Sequence, residues 1–243
     1  MIPRFFLERV AGGEVVLPRA DSHHLLRVLR ASPGAPFVVL AGGTAYDCVL
    51  ERMEDGLAVG RITAERPAAG EPAIRITLFQ GLAKGEKMEL VLQHGTELGI
   101  AEFVAVAAAR SVVRLDERKA AQRTERWQRI AREAAEQSRR GAVPAVAPPH
   151  TWKEAVDRIP EFDLALVAWE EGGEPLRKVL EARPGARTYA LFIGPEGGLT
   201  AGEVDLARRA GAVPVTLGPR ILRTETAPLA AVAAILYARG EWD

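Results

Sequence analysis

The sequence predicts an α/β protein, with a parallel β-sheet covered by helices on both faces and a smaller β-rich domain before it. Three observations support this prediction. From residue 74 onward, apolar strand candidates such as 163–168 and 188–193 alternate with segments of helical periodicity. These strand candidates are apolar at almost every position, which is typical of parallel strands buried on both faces. Residues 1–70 instead contain short strand candidates in close succession.

Residues 1–70 are predicted to form the smaller domain. Its strand candidates are rich in branched aliphatic and aromatic residues and lie at 14–17, 36–40, 44–50 and 57–63. One helix interrupts them, and Asp21 or Ser22 is predicted to cap it. The segment 66–72 contains two prolines and a glycine without an apolar period, which indicates a linker. We therefore predict two domains, at 1–70 and 73–243.

The larger domain contains a regular series of elements. Its strand candidates are 74–79, 103–106, 163–168, 188–193 and 213–217, and its helix candidates are 86–98, 117–140, 151–156, 174–182, 200–210 and 226–239. Thr200 and Glu203 have the spacing of a capping box, in which each side chain closes an unpaired backbone N–H. Thr226 is predicted to cap the last helix.

Two loops rich in glycine and proline follow predicted strands. One has the sequence GPEGGLT at 194–200, and the other has LGPRILRTETA at 217–227. Glycine tolerates positive φ, so either loop alone is also typical of an ordinary tight turn. Open α/β sheets bind ligands beyond the carboxyl ends of their strands. Two such loops at one edge of the sheet therefore favour a ligand site.

Composition and charge exclude several classes of protein. Lys and Arg together number 32, as do Asp and Glu, so any surface that binds nucleic acid must be local. The single cysteine, Cys48, cannot form an internal disulfide, which fits a reducing cytosol. The longest apolar run, 227–238, is too short to span a bilayer, and the N-terminus lacks a signal-peptide pattern. We expect a soluble cytoplasmic protein without a membrane partner. His23 and His24 have no partner at ligand spacing, so we also expect no metal.

The two loops closely resemble a known signature. Together they are similar to the motifs of the bacterial 16S rRNA uracil-N3 methyltransferases, a family of the SPOUT superfamily. Three further segments extend the resemblance over nearly the whole chain: QGLAKGEKME at 80–89, QHGTELG at 93–99 and RWQRIAREAAEQSRR at 126–140. The resemblance implies that 73–243 form a SPOUT methyltransferase domain with a trefoil knot. It also implies that 1–70 form a PUA-like β-barrel that binds RNA.

The resemblance implies an activity and its partners. The expected reaction transfers a methyl group from S-adenosylmethionine to N3 of a specific uridine in 16S ribosomal RNA, with S-adenosylhomocysteine as product. The expected substrate is the RNA in an assembled small-subunit particle, and the expected protein is a homodimer. Two alternatives remain open: a ribose 2′-O methyltransferase of the same superfamily, and an RNA-binding or ribosome-assembly protein without catalysis.

The expected cofactor site lies where three segments end at the sheet edge. A ligand that carries adenine and a sulfonium needs an apolar slot and backbone hydrogen bonds, and these segments can supply both. The predicted cofactor-binding residues are Leu166, Val167, Ala168, Trp169, Phe192, Ile193, Gly194, Pro195, Glu196, Gly197, Gly198, Leu217, Gly218, Ile221, Leu222, Arg223, Thr226 and Ala227.

Arg223 and Glu225 are the predicted catalytic residues. Methylation at uracil N3 requires a base that takes the N3 proton, directly or through water, and a cation can stabilise the uracil anion. The second loop contains both chemical types. The alternative for this pair is structural, either as an ion pair or as a carboxylate favoured by a helix start.

Basic residues outside the cofactor site are predicted to contact RNA. They are Arg4, Arg27, Arg30, Lys84, Lys87, Arg139 and Arg140. The competing explanation for such residues is ordinary solvated surface, because charged side chains are mostly exposed.

Overall fold

The computed structural model describes residues 2–113 and 116–242, which form two compact units. One unit contains residues 1–71 together with 135–143, and the other contains 72–134 and 144–243. The segment 135–143 begins at the end of a long helix and packs with the N-terminal residues. The domain boundaries predicted at 1–70 and 73–243 did not include this contribution.

The first unit contains a five-stranded mixed sheet in the order β1-β3-β4-β5-β2. The strands are β1 (Arg4–Phe6), β2 (Glu14–Val16), β3 (Pro36–Ala41), β4 (Thr44–Glu54) and β5 (Leu57–Pro67). β1 runs parallel to β3, and the other neighbours are antiparallel. Phe5, Phe37, Val39 and Leu50 are buried in its core. β1 was not predicted, because three residues are too few to show a strand period.

The helix of this unit begins earlier in the chain than the sequence predicted. Helix α1 (Arg19–His23) begins after Pro18 and continues as a π-helical turn over His24–Val28. Asp21 and Ser22 therefore lie inside the helix, and the cap prediction was wrong. The Ser22 hydroxyl is buried, where it donates to the Leu17 carbonyl at 2.8 Å and accepts from an amide of β5 at 2.9 Å. It joins the helix to the sheet instead of capping the helix.

Strand β5 extends into the segment predicted as a linker. Arg66 pairs with Ala45, and Pro67 pairs with Thr44. The amide of Ala68 then donates to the carbonyl of Gly43 at 2.9 Å. The end of β5 is polar and exposed, so its sequence lacks the apolar alternation that indicates a half-buried strand.

The second unit contains a seven-stranded sheet in the order β10-β12-β9-β11-β6-β7-β8, and all its neighbours are parallel. The strands are β6 (Arg75–Gly81), β7 (Glu102–Ala107), β8 (Ala145–Thr151), β9 (Leu164–Ala168), β10 (Glu174–Pro175), β11 (Thr188–Ile193) and β12 (Val213–Thr216). The predicted α/β fold with a parallel sheet is confirmed. β8 was not predicted, because it contains Pro148 and Pro149. Proline is tolerated in an edge strand but weakens the sequence pattern that indicates a strand.

Helices cover both faces of this sheet. They are α2 (Lys87–Leu98), α3 (Glu117–Gln137), α4 (Trp152–Asp157), α5 (Leu176–Glu181), α6 (Ala201–Arg209) and α7 (Ala227–Ala238), with a 3₁₀ turn at Ile159–Glu161. Along β11, Tyr189 and Leu191 belong to the core that includes α2, α5 and α7. Ala190 and Phe192 belong to the core that includes α4 and α6. This alternation explains why the strand is apolar at nearly every position.

The two helix caps predicted in the second unit, at α6 and α7, differ in their outcome. The capping box of α6 is confirmed: Thr200 Oγ1 accepts from the Glu203 amide, and Glu203 Oε2 accepts from the Thr200 amide at 2.8 Å. Thr226 occupies the cap position of α7, but its side chain makes no capping hydrogen bond. Its backbone is already helical, and the amides of Thr226 and Ala227 donate to the Arg223 carbonyl in the preceding turn. The predicted cap by Thr226 was therefore wrong.

Candidate active site

The carboxyl ends of three adjacent strands form one cavity. β9 lies between β11 and β12, so that Ala168 at its end pairs with Ile193 on one side and Val215 on the other. The loops after β11 and β12 therefore leave the sheet side by side. With the segment after β9 they enclose a cavity of about 650 Å³, within the range of small-molecule sites.

Most of the predicted cofactor residues line this cavity. They are Ala168, Trp169, Ile193, Gly194, Pro195, Glu196, Gly198, Leu217, Gly218, Ile221, Leu222, Arg223 and Ala227. Among the described residues, the other predicted ones do not belong to the lining. Leu166, Val167 and Phe192 are fully buried in the sheet core. Thr226 is exposed, and the carbonyl of Gly197 accepts from the Arg110 guanidinium at 3.1 Å.

Several residues of the lining were not predicted there. They are Lys87, Glu170, Thr216, Pro219, Arg220 and Thr224. Arg220 and Thr224 belong to the signature loop, so extending the prediction to every loop residue would have included them. Glu170 directly follows the β9 segment that was predicted. Lys87 was predicted as an RNA contact, and its place in the cavity depends on the start of a distant helix.

Two glycines in this region have close neighbours that a side chain would disturb. A Cβ atom at Gly81, at the end of β6, would lie 2.4 Å from the amide nitrogen of Pro195. Gly198 has φ +71, and a Cβ atom there would lie 2.1 Å from Oε1 of Glu170. A side chain at Gly81 would force the backbone of the first loop to move. A side chain at Gly198 would be strained by the positive φ, and the Glu170 carboxylate would have to move away from it.

Thr224 connects the two loops through its hydroxyl. It is only 7% exposed, accepts from Gln80 Nε2 at 2.9 Å and donates to the Gly194 carbonyl at 2.7 Å. The hydrogen bonds tie the end of β6, the loop after β11 and the loop before α7 to one another. The shape of the cavity therefore depends on this hydroxyl.

A lysine between two carboxylates forms a charged cluster at the cavity. Lys87 Nζ lies 3.2 Å from Glu196 Oε1 and 3.5 Å from Glu225 Oε2. Burial raises the pKa of the Glu196 carboxyl, but hydrogen bonds from the Lys84 amide and from Lys87 outweigh this and lower the pKa below its ordinary value. Glu196 is therefore a carboxylate at neutral pH.

Among the described residues, the ion-pair partner of Glu225 is Lys87, and Arg223 is not in that pair. Glu225 is 17% exposed and is not part of the described cavity lining. Arg223 lines the cavity with an exposed side chain, and its carbonyl accepts from the first turn of α7. The two predicted catalytic residues thus lie on one loop with different surroundings.

The predicted RNA contacts other than Lys87 fall into three groups. Arg27, Arg30, Lys84 and Arg139 are exposed. Arg4 is half-buried and donates to the Arg139 carbonyl at 3.1 Å. Arg140 is 3% exposed, and its guanidinium pairs with the carboxylate of Glu71. The structure contradicts an RNA contact at Arg140, because its charge is buried against a carboxylate.

The described part of the chain holds no group of three or more His, Cys, Asp or Glu side chains that could bind a metal ion. Within the same residues, no helix combines the length and the apolar character needed to cross a bilayer. Cys48 is buried in the first unit, and burial raises the pKa of its thiol to about 11.

Comparison with known proteins assigns the family. The profile of the RNA methyltransferase domain matches residues 70–236, which include every residue of the cavity lining. This chain belongs to the RNA methyltransferase family. Its curated relatives narrow the family to ribosomal RNA small subunit methyltransferase E. The Bacillus subtilis protein of that name is 38% identical over 223 residues, which cover 89% of this chain and 87% of the relative. The Aquifex aeolicus protein of that name is 32% identical, covering 96% and 98%.

A solved structure of the same family confirms the fold. The structure of ribosomal RNA small subunit methyltransferase E from Neisseria gonorrhoeae, bound to S-adenosyl methionine, is 36% identical in sequence to this chain. The TM-score is 0.89, and the match covers 98% of each chain. The family recognised from the signature loops is thereby confirmed at the level of small-subunit ribosomal RNA methyltransferases.

Proposed function

We propose that this protein transfers a methyl group from S-adenosylmethionine to N3 of a specific uridine in 16S ribosomal RNA. The observation that carries the proposal is the meeting of both signature loops in one cavity, with the Lys87–Glu225 pair beside it. The names of the relatives support small-subunit ribosomal RNA as the substrate class. The signature at 217–227 supports the uracil N3 position.

The cavity has the chemistry that S-adenosylmethionine requires. Its volume suits a ligand of that size, and Ile193, Leu217 and Leu222 contribute apolar surface. The indole nitrogen of Trp169 is buried in the lining without a hydrogen-bond partner among the described residues. A buried donor of this kind favours a ligand that brings an acceptor. The Neisseria gonorrhoeae relative is described as bound to S-adenosyl methionine, which supports the same cofactor here.

The residues of the second loop supply the acid–base chemistry. S-adenosylmethionine, when bound, provides a methyl group on a sulfonium, and S-adenosylhomocysteine leaves. Uracil N3 becomes nucleophilic only when it loses its proton. We assign Glu225 to accept that proton, directly or through a water molecule, and Arg223 to stabilise the negative charge that develops on the base. N3 lies on the pairing edge of uracil, so the target nucleotide must be unpaired.

The first unit is proposed to hold the RNA. Arg27 and Arg30 are exposed there, as is Arg139 of the segment that packs with it. Such guanidinium groups bind phosphate regardless of sequence and position the RNA rather than identify the base. We place the protein in the cytoplasm as a homodimer that acts on an assembled small-subunit particle.

Nucleoside mass spectrometry tests the function. Ribosomal RNA is prepared from cells with and without the gene, and the unmethylated RNA or particle is then treated with purified protein and S-adenosylmethionine. We expect 3-methyluridine to be absent without the gene and restored by the protein. A 2′-O-methylated nucleoside would instead show the ribose activity. Tight RNA binding without any methylated product would show a binding or assembly protein.

A further inference from the structure

Lys87 is the first residue of α2 and places its ammonium group in the cavity lining. It was predicted as an RNA contact from its charge alone. Among the described residues, its ion pairs are instead with two carboxylates from different loops, Glu196 after β11 and Glu225 before α7. An exposed lysine that binds phosphate would not need this arrangement. Its role is therefore more specific than binding RNA.

Glu196 fixes the position of the Lys87 ammonium. Its Oε1 atom accepts from the backbone amide of Lys84 at 2.9 Å and lies 3.2 Å from Lys87 Nζ. A carboxylate that is held by a backbone amide cannot rotate freely, so the lysine has a stable partner on this side. The other side of the ammonium then faces Glu225.

Lys87 is the ion-pair partner of Glu225 among the described residues. The Oε2 atom of Glu225 is buried and accepts no hydrogen bond among the described residues. A buried carboxylate is costly unless a cation or donor compensates it. Arg220 and Arg223 also line the cavity, but neither forms an ion pair with Glu225 among the described residues. Lys87, at 3.5 Å, supplies the compensating charge.

We propose that Lys87 is a positioning residue for methyl transfer, whose ammonium, held by Glu196, keeps the Glu225 carboxylate in place to accept the uracil N3 proton. This proposal rests on the proposed function. In the step, the N3–H bond breaks and the proton moves to a Glu225 oxygen. The N3 electron pair forms the bond to the methyl carbon, and the methyl–sulfur bond breaks with its electrons left on sulfur. Lys87 acts through Glu225 and does not itself exchange a proton.

A double-mutant cycle tests this role. Single-turnover rates are measured at saturating S-adenosylmethionine and RNA for the wild type, Lys87→Met, Glu225→Gln and the double variant. We expect Lys87→Met to slow transfer at neutral pH by about 10- to 100-fold, a part of the usual worth of a general base. We expect the double variant to be no slower than Glu225→Gln alone, because residues that act as a unit are not additive. Lys87→Arg should retain most of the rate.

The pH dependence gives a second readout. When Lys87 no longer holds Glu225 in place, uracil must lose its N3 proton without help, so the rate of Lys87→Met should approach that of the wild type as pH rises and uracil ionises by itself. In the Glu225→Gln background, removal of Lys87 should leave the pH profile unchanged. A merely structural role for Lys87 would not produce this difference. The same cycle with Lys87→Gln keeps the test valid if the methionine variant is unstable.

The control is Lys153→Met. Lys153 on α4 also forms a lysine–carboxylate pair, 2.6 Å from Asp157, but it is exposed and does not belong to the cavity lining. The Lys153→Met substitution should leave the rate of methyl transfer unchanged.

Two outcomes would show that Lys87 has a different role. One is a double variant whose loss of rate equals the product of the losses in Lys87→Met and Glu225→Gln, because the two residues then act independently. The other is a weaker RNA affinity for Lys87→Met, with a salt-dependence slope lower by about 1 and an unchanged saturated rate, as expected for a phosphate contact. Failure of the wild type to methylate uracil N3 would instead refute the proposed function. An active wild type with an equally active Lys87→Met variant would refute only this inference.

Discussion

The ammonium nitrogen of Lys87 lies 3.5 Å from Oε2 of Glu225, although the two residues belong to distant parts of the chain. This pair connects the start of α2 to the loop before α7, beside the cavity formed by three strand ends. It also changes the expected partner of Glu225, because Arg223 was the cation nearest to it in sequence. The charged groups of the site are therefore arranged by the fold rather than by the loop alone.

Thr224 is expected to control the shape of the cavity. Thr224→Val leaves the buried Gln80 amide and the Gly194 carbonyl without their hydroxyl partner. We expect a loss of about 1–3 kcal/mol in the free energy of unfolding, the usual cost of an unsatisfied buried group. S-adenosylmethionine should also bind more weakly by calorimetry. Thr224→Ser keeps the hydroxyl and is the control. Unchanged stability and affinity in the valine variant would remove this connection from the account.

Arg27 and Arg30 are expected to contribute phosphate contacts. The double variant Arg27→Ser/Arg30→Ser should bind RNA more weakly, and the slope of log K against log salt should fall by about 2. Binding of S-adenosylmethionine should not change. Arg177→Ser, which removes an 87% exposed guanidinium on α5, is the control and should leave RNA affinity unchanged. Fluorescence titrations over a salt series measure these effects. Equal losses in both variants would indicate a general charge effect only.

Helix α7 is expected to form a dimer interface. Ala231, Val232, Ile235 and Leu236 are buried on one side, whereas Ala234 and Tyr237 on the other side are exposed. Small residues on a helix face allow close packing of a second copy. Light scattering should report a dimer at micromolar concentration and a monomer for Ala234→Glu. Leu206→Glu on α6 should stay dimeric. A monomeric wild type would contradict the prediction.

Acid should weaken the second unit through the Glu102–Arg158 pair. Burial raises the pKa of the Glu102 carboxyl, but hydrogen bonds and charge from Arg158 and a hydrogen bond from Thr77 outweigh it, so the pKa lies below its ordinary value of 4.5. A lowered pKa in the folded state contributes stability above about pH 4.5, and this stability is lost as pH falls through the folded value. Glu102→Gln should therefore lower the free energy of unfolding at neutral pH.

The difference between Glu102→Gln and the wild type should shrink below pH 4.5, as measured by urea unfolding over a pH series. Glu181→Gln breaks an exposed pair with Arg177 on α5 and should show no measurable change at any pH. A constant difference across the pH range would show that the pair does not titrate as described.

Much of the fold could be predicted from local patterns. Apolar runs such as 188–193 identify strands buried on both faces, and Gly99, with φ +102, ends α2 where the sequence indicated. The pairing of strands, the π-helical turn at His24–Val28 and the two-proline strand β8 could not be predicted. They depend on contacts between distant residues or on irregular backbone that a periodic pattern does not encode.

The site was predicted only in part, because some of its residues also depend on contacts between distant parts of the chain. The signature loops place most of the cavity lining, because consecutive loop residues share one sheet edge. Residues such as Phe192 were included because they are in the same segments, but strand alternation directs them into the core. Charge type alone did not separate Lys87 in the cavity from Arg140, which is buried against Glu71. Only tertiary structure determines which charges are paired.

The most direct test of the central claim is the rate of methyl transfer by Glu225→Gln. Single-turnover rates are measured at saturating S-adenosylmethionine and RNA across a pH series. If Glu225 accepts the N3 proton, the variant should keep its affinities for cofactor and RNA, while transfer slows by ~10²–10⁴-fold. Raising the pH should partly restore the rate, since uracil then ionises without a base. A variant that transfers methyl groups at nearly the wild-type rate at neutral pH would contradict the account and exclude Glu225 as the proton acceptor.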